Sequence, residues 1–209
     1  MSIANKARKR AHRLGSGEAI LTAAAAVFLE KGYLGTSVDE IAAKAGVSKQ
    51  TIYTHFRNKD QLFADVVLAN ADRAEAFAGD MLDRFHGAGA SEVQSGLREL
   101  ARAYIRFVIR PDVIRLRRLV IAEAVRFPDL ARTYHERVPE RIYAALAGLF
   151  AELMQEGRLR RGDPETAAQH FVWLILGQPL DRMMFGVPAP TADVLSDFAD
   201  TAVAIFVRG

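Results

Sequence analysis

Lys49, Gln50, Thr51, Tyr53 and His55 crowd hydrogen-bonding side chains into one short segment. A lysine can donate to guanine O6 and N7, and a glutamine can make a bidentate pair with adenine. Lys49 and Tyr53 stand one helical turn apart, with Gln50 beside them and Thr51 and His55 along the flank. Ile52 and Phe56, also one turn apart, are expected to turn inward with Val47. A helix entering the major groove of DNA needs such a division between a buried edge and a polar edge.

Such a row works only if its helix is held by others. Residues 16–31 carry Ile20, Ala23, Ala24, Val27 and Phe28 on one helical face, and Gly32 is expected to stop that helix. Ser37-Val-Asp-Glu40 reads as a capping box opening a short helix that ends at Gly46. Gly46 can take the left-handed conformation of a sharp exit, and Ser48 can cap the next helix, to about Arg57. Beyond it, further helices are expected over 58–85, 91–110, 112–127, 129–156, 163–180 and 191–207, with Pro139 starting a new helix or kinking one. The strand signature of alternating Val, Ile and Thr is absent. The expected fold class is all-α, with about nine helices.

Bulk composition narrows the classes further. The 209 residues carry 28 Lys+Arg against 25 Asp+Glu, half are hydrophobic, and none is cysteine. That excludes a disordered chain, a disulfide framework, a thiolate zinc site and a cysteine nucleophile. The longest nearly apolar run, 19–29, is half of the roughly 20 residues a membrane helix needs, so no membrane partner is expected. With no signal-peptide pattern at the N-terminus, the expected location is cytoplasmic. The net charge of +3 hides a division: residues 1–60 hold ten basic and five acidic side chains, and the remainder nets −2. All lysines lie at or before position 59. A basic nucleic-acid module joined to a neutral one would produce this shift.

The stretch 19–63 resembles the DNA-binding domain of the tetracycline-repressor (TetR) family. The resemblance rests on Gly32-Tyr-x-Gly-Thr-Ser37, Ala45-Gly-Val-Ser48 and Tyr53-x-His-Phe-x-Asn-Lys59. It implies an all-helical homodimer in which residues 1–60 form a helix-turn-helix DNA-binding domain and 61–209 a helical regulatory and dimerisation domain. Carried over position by position, Lys49 and Gln50 become candidates for base contacts. Thr36, Thr51, Tyr53, His55 and Lys59 match backbone-phosphate positions, and Ser48 opens the recognition helix among them. A weaker likeness over 118–131 is to regulatory domains of a broad subgroup often linked to efflux and stress genes. Lys6, Arg8, Lys9, Arg10 and Arg13, within a basic arm over 1–15, are read either as a minor-groove arm or as a solvated tail adding non-specific affinity.

The second module must then dimerise and sense. Phe171, Trp173, Leu176, Leu180, Leu195 and Phe198, on two strongly apolar helices, are the expected dimer interface. Tyr104, Phe107, Glu123, Tyr134, Trp173, Gln178, Met184 and Phe185 are the candidate effector pocket. Met183-Met184-Phe185 favours an apolar or aromatic effector. The sequence thus predicts a repressor released from a palindromic operator by a small molecule, with no catalytic residue, cofactor or metal. Two other readings stay open: a ligand-independent DNA-binding protein, and an all-helical enzyme, for which no Ser-His-Asp, phosphate-loop or HExxH pattern is present.

Overall fold

The computed structural model describes the backbone of residues 3–87 and 93–208, and the side chains of 16–86 and 93–208. Among the described residues there are ten helices and no strand: α1 Ile3–Gly35, α2 Val38–Ala45, α3 Lys49–His55, α4 Lys59–Gly87, α5 Val93–Val108, α6 Pro111–Ala122, α7 Pro128–Arg137, α8 Pro139–Gln155, α9 Pro164–Met184 and α10 Ala192–Arg208. The all-α expectation holds. Pro139 does start a new helix, and so separates α7 from α8.

By proximity the chain forms two compact units. The first comprises Met1–Asn70 and Leu119–Ala131, and the second Ala71–Arg118 and Arg132–Gly209. The first is therefore larger than the 1–60 module expected, chiefly because 119–131 joins it.

Local chemistry sets the first unit. Helix α1 begins at Ile3 rather than at Ser16, because residues 4–14 hold no proline, glycine or β-branched residue to end it. The side chains of Lys6, Arg8, Lys9, Arg10 and Arg13 lie outside the described residues. Gly32, at φ 74°, interrupts α1 where the stop was expected. The capping box forms as predicted. The Glu40 amide donates to Ser37 Oγ at 3.2 Å, and the Ser37 amide donates to Glu40 Oε2 at 3.0 Å. Gly46 adopts φ 66° and ends α2. Ile20, Val27, Phe28, Ile41, Ile52, Phe56, Leu62 and Phe63 are buried. Each large side chain so buried contributes about 1.5–3 kcal/mol.

Phe127 completes this core. Helix α6 ends at Ala122 instead of 127, and a turn follows in which the Phe127 amide donates to the Glu123 carbonyl at 2.8 Å. The Phe127 ring then stands 4.9 Å from Tyr33 edge-on and 5.4 Å from Phe63. Aromatic pairs at these separations add about 0.5–1.5 kcal/mol each beyond their area.

In the second unit α9 packs on α8 and α10, and α10 on α5. Helix α5 presents Leu97, Leu100, Ala101, Tyr104, Ile105 and Val108 inward. Phe150, Phe171 and Phe206 meet at 5.0–5.3 Å. Two arginine forks tie helices together. Arg102 grips Asp200 with two nitrogens, and Arg137 binds both Glu75 oxygens, at 3.0 and 3.1 Å, and Asp72 at 2.6 Å.

The expected dimer interface needs correction. Phe171, Leu176, Leu180 and Leu195 are buried inside this unit's own core. Helix α9 is apolar almost all round, so its sequence did not reveal which side faces inward. Trp173 is exposed and Phe198 is half-buried. Val194 and Ile205, exposed on α10, share the outer face with Phe198 at helical spacing.

Candidate nucleic-acid interface and effector region

The polar row on α3 stands as the spacing predicted. Ile52 is buried, while Lys49, Gln50 and Tyr53 are exposed, Tyr53 at 45%. Ser48 caps the helix: its Oγ accepts the Thr51 amide at 3.0 Å and lies 2.8 Å from Thr51 Oγ1. Lys49 Nζ donates to Asp39 Oδ2 of α2 at 2.9 Å, which raises its pKa. Asp39 was not anticipated, because nothing in its spacing marks it apart from an ordinary first-turn acid.

Three phosphate candidates sit differently. Thr36 is 4% exposed, and its hydroxyl donates to the Gly32 carbonyl at 2.7 Å, so it shapes the turn and does not face solvent. His55 is half-buried against α1, where a Cβ on Gly17 would lie 3.4 Å from its Nδ1. Lys59, also half-buried, holds Nζ 4.3 Å above the Tyr33 ring, and desolvation lowers its pKa. The same ring has the Arg126 guanidinium 5.4 Å away, and its hydroxyl donates to Asp60. Burial, helped by Asp60, pushes the Tyr33 phenol up to about 12. Arg126 is in turn held by Glu123 at 3.3 Å. Neither Arg126 nor this use of Tyr33 was legible in the local sequence, since the contact spans 93 positions.

The effector candidates divide. Tyr104 and Tyr134 are buried, at 5% and 7% exposure. Phe107 is half-buried and stacks on Phe77 at 3.9 Å, and Met184 is half-buried against the core. Trp173, Gln178 and Phe185 are exposed, Phe185 at 82%, so they do not line the interior. Polar residues near the end of a helix do not announce their face. Glu123 belongs to the first unit, paired with Arg126.

Capped short helices, a glycine turn and an outward polar row define a helix-turn-helix transcriptional regulator. More particularly, the chain belongs to the TetR family: residues 20–66 match the bacterial regulatory proteins of the tetR family, and 95–209 match the AefR-like transcriptional repressor C-terminal domain. The crystal structure of a TetR-family transcriptional regulator from Mesorhizobium loti is 36% identical, covering 94% of this chain and 96% of that one, with a TM-score of 0.87. The flavonoid-responsive regulator FrrA is 29% identical, covering 92% and 95%, with a TM-score of 0.71. The HTH-type transcriptional regulator YvkB of Bacillus subtilis is 26% identical over 91% of this chain and 94% of its own length. Members of the family bind operator DNA and small-molecule effectors and act as dimers. Among the described residues no helix is long and apolar enough to cross a membrane.

Proposed function

We propose that this chain is a homodimeric, cytoplasmic repressor without catalytic activity, released from a palindromic operator by a small molecule. The observation that carries the reading is the exposed row Lys49, Gln50 and Tyr53 on a helix whose opposite edge, Ile52, is buried. In it the first unit binds DNA. Lys49 and Gln50 contact base edges, Tyr53, Thr51 and Ser48 approach phosphates, and Lys59 is drawn from its ring to a phosphate at the start of α4. The second unit pairs with its twofold mate through Trp173, Val194, Phe198 and Ile205, exposed or half-buried apolar residues on α9 and α10. Pairing matters because two recognition helices must meet half-sites about 34–36 Å apart. Ligand response is supported by the AefR-like match and by the likeness to a flavonoid-responsive regulator.

The test is genome-wide mapping of bound sites in the native host, with transcript levels in a deletion strain. An inverted repeat upstream of genes whose transcripts rise on deletion supports the reading. Falling transcripts, or sites without dyad symmetry, would overturn it.

A further inference from the structure

The outer face of α9 has a glycine at its centre and two unlike ends. Gly177 is half-buried midway between Trp173 and Asp181, both exposed and each about one turn away. A glycine weakens a helix interior, yet a Cβ at this position would meet open space. No described neighbour within the subunit therefore requires it, whereas a helix approaching from outside would.

One end of the face is a basic groove. An open groove of about 390 Å³ runs between the start of α9 and the end of α10, with Ala167, Leu174, Ile205 and Phe206 among its walls. Arg160, Arg161 and His170 also line it, while the Asp163 carboxylate is turned to the Thr166 amide at 2.9 Å. The other end is acidic and carries an uncovered ring. Asp181 of α9 and Asp193 and Asp197 of α10 are exposed there, beside Arg182. Phe185, just past the end of α9, stands almost wholly in water.

We infer that α9 crosses α9 of a second copy in antiparallel fashion, with Gly177 on the twofold axis, and that the Phe185 ring of each copy seats in the other's groove. The pairing assumes the homodimer proposed above and fixes its direction and register. In an antiparallel crossing, residues equally far from the axis on either side meet. His170, about two turns before Gly177, then comes opposite the partner's Phe185, about two turns after it. The basic groove meets the partner's acidic end, whereas parallel pairing would set groove against groove and acid against acid. The groove is also continuous with Trp173 and Ile205, so one surface covers the exposed apolar residues of both helices.

The chain has no cysteine, so introduced thiols report alone. The experiment uses the full-length protein carrying Gly177→Cys, His170→Cys, Phe185→Cys, or the last two together. A residue on a twofold axis meets its own copy, so Gly177→Cys should give a covalent dimer with copper phenanthroline or a short bismaleimide. His170→Cys and Phe185→Cys should each stay unlinked alone and link two subunits when combined, because within one subunit they stand about 22 Å apart along the helix. Phe185→Ala should weaken dimerisation at least about tenfold in sedimentation, with circular dichroism unchanged. Crosslinking of His170→Cys to itself would mean parallel pairing and refute the inference. Gly177→Cys left unlinked by both reagents in a protein still dimeric, or unchanged association of Phe185→Ala, would refute it too. Each of these leaves the homodimer standing. A wild-type chain that sediments as a monomer, alone and on its operator, would overturn both.

Discussion

Lys49 of the recognition helix is tethered to Asp39 of the helix before it, Nζ to Oδ2 at 2.9 Å. Both side chains are largely exposed, so the pair adds little to stability. Its weight falls on binding, because a lysine that must reach a base or phosphate has first to leave its acid. Asp39→Asn is therefore expected to tighten operator binding by about threefold to tenfold at low salt, with a smaller gain at 0.3 M salt. Anisotropy titrations at several salt concentrations measure this. Unchanged or weaker binding would contradict it.

Lys59 and Gln50 should fail in different ways. Lys59→Ala removes one phosphate neutralisation, so affinity for all sequences should fall and the log–log salt slope should become shallower by about 0.9. Gln50→Ala should weaken the cognate operator by roughly tenfold and leave a scrambled duplex unaffected. An equal loss on both duplexes would remove Gln50 from base reading.

The buried phenol of Tyr33 makes stability depend on alkaline pH. Its pKa of about 12 stands above the ordinary value of 10, so between those values the folded state holds a proton that the unfolded state has released. The stabilisation is complete below about pH 10 and drains away as pH rises through the folded value. Other tyrosines titrate there too, so the comparison is between wild type and Tyr33→Phe in thermal melts from pH 8 to 12. The variant should lose less stability over that window, and parallel curves would count against it.

Gly96 carries a packing requirement in the second unit. A Cβ there would lie 2.8 Å from the ring of Phe85, itself buried. Gly96→Ala should cost about 1–3 kcal/mol, read as a lowered melting temperature. Combining it with Phe85→Leu should recover part of the loss, since the ring is the obstacle.

What could be read in the sequence was what neighbours decide. Ser37, Glu40, Gly46 and Ser48 act on backbone groups within four residues, and all four behave as their types predict. Hydrophobic spacing likewise turned Ile52 inward and left Lys49 outside. Contacts made across long stretches of chain were invisible. Phe127 and Arg126 reach Tyr33 from a turn that periodicity had read as helix. Helix α9 offered no polar side by which to orient Phe171 or Leu176. Among the effector candidates, Tyr104 and Tyr134 are buried. Trp173, Gln178 and Phe185, chosen with them on residue type, are exposed, since residue type alone does not choose a face.

The distribution of lysine has a consequence for chemical modification. Every side-chain amine of this chain stands at or before position 59. Lys31, Lys49 and Lys59 are engaged by Glu40, Asp39 and the Tyr33 ring, while Lys44 has no such partner among the described residues. Acylation of any lysine would therefore subtract positive charge from the module that meets DNA and from nowhere else. An acyl donor in the cell, or an amine-reactive dye at the bench, would act on operator affinity while leaving the second unit chemically untouched.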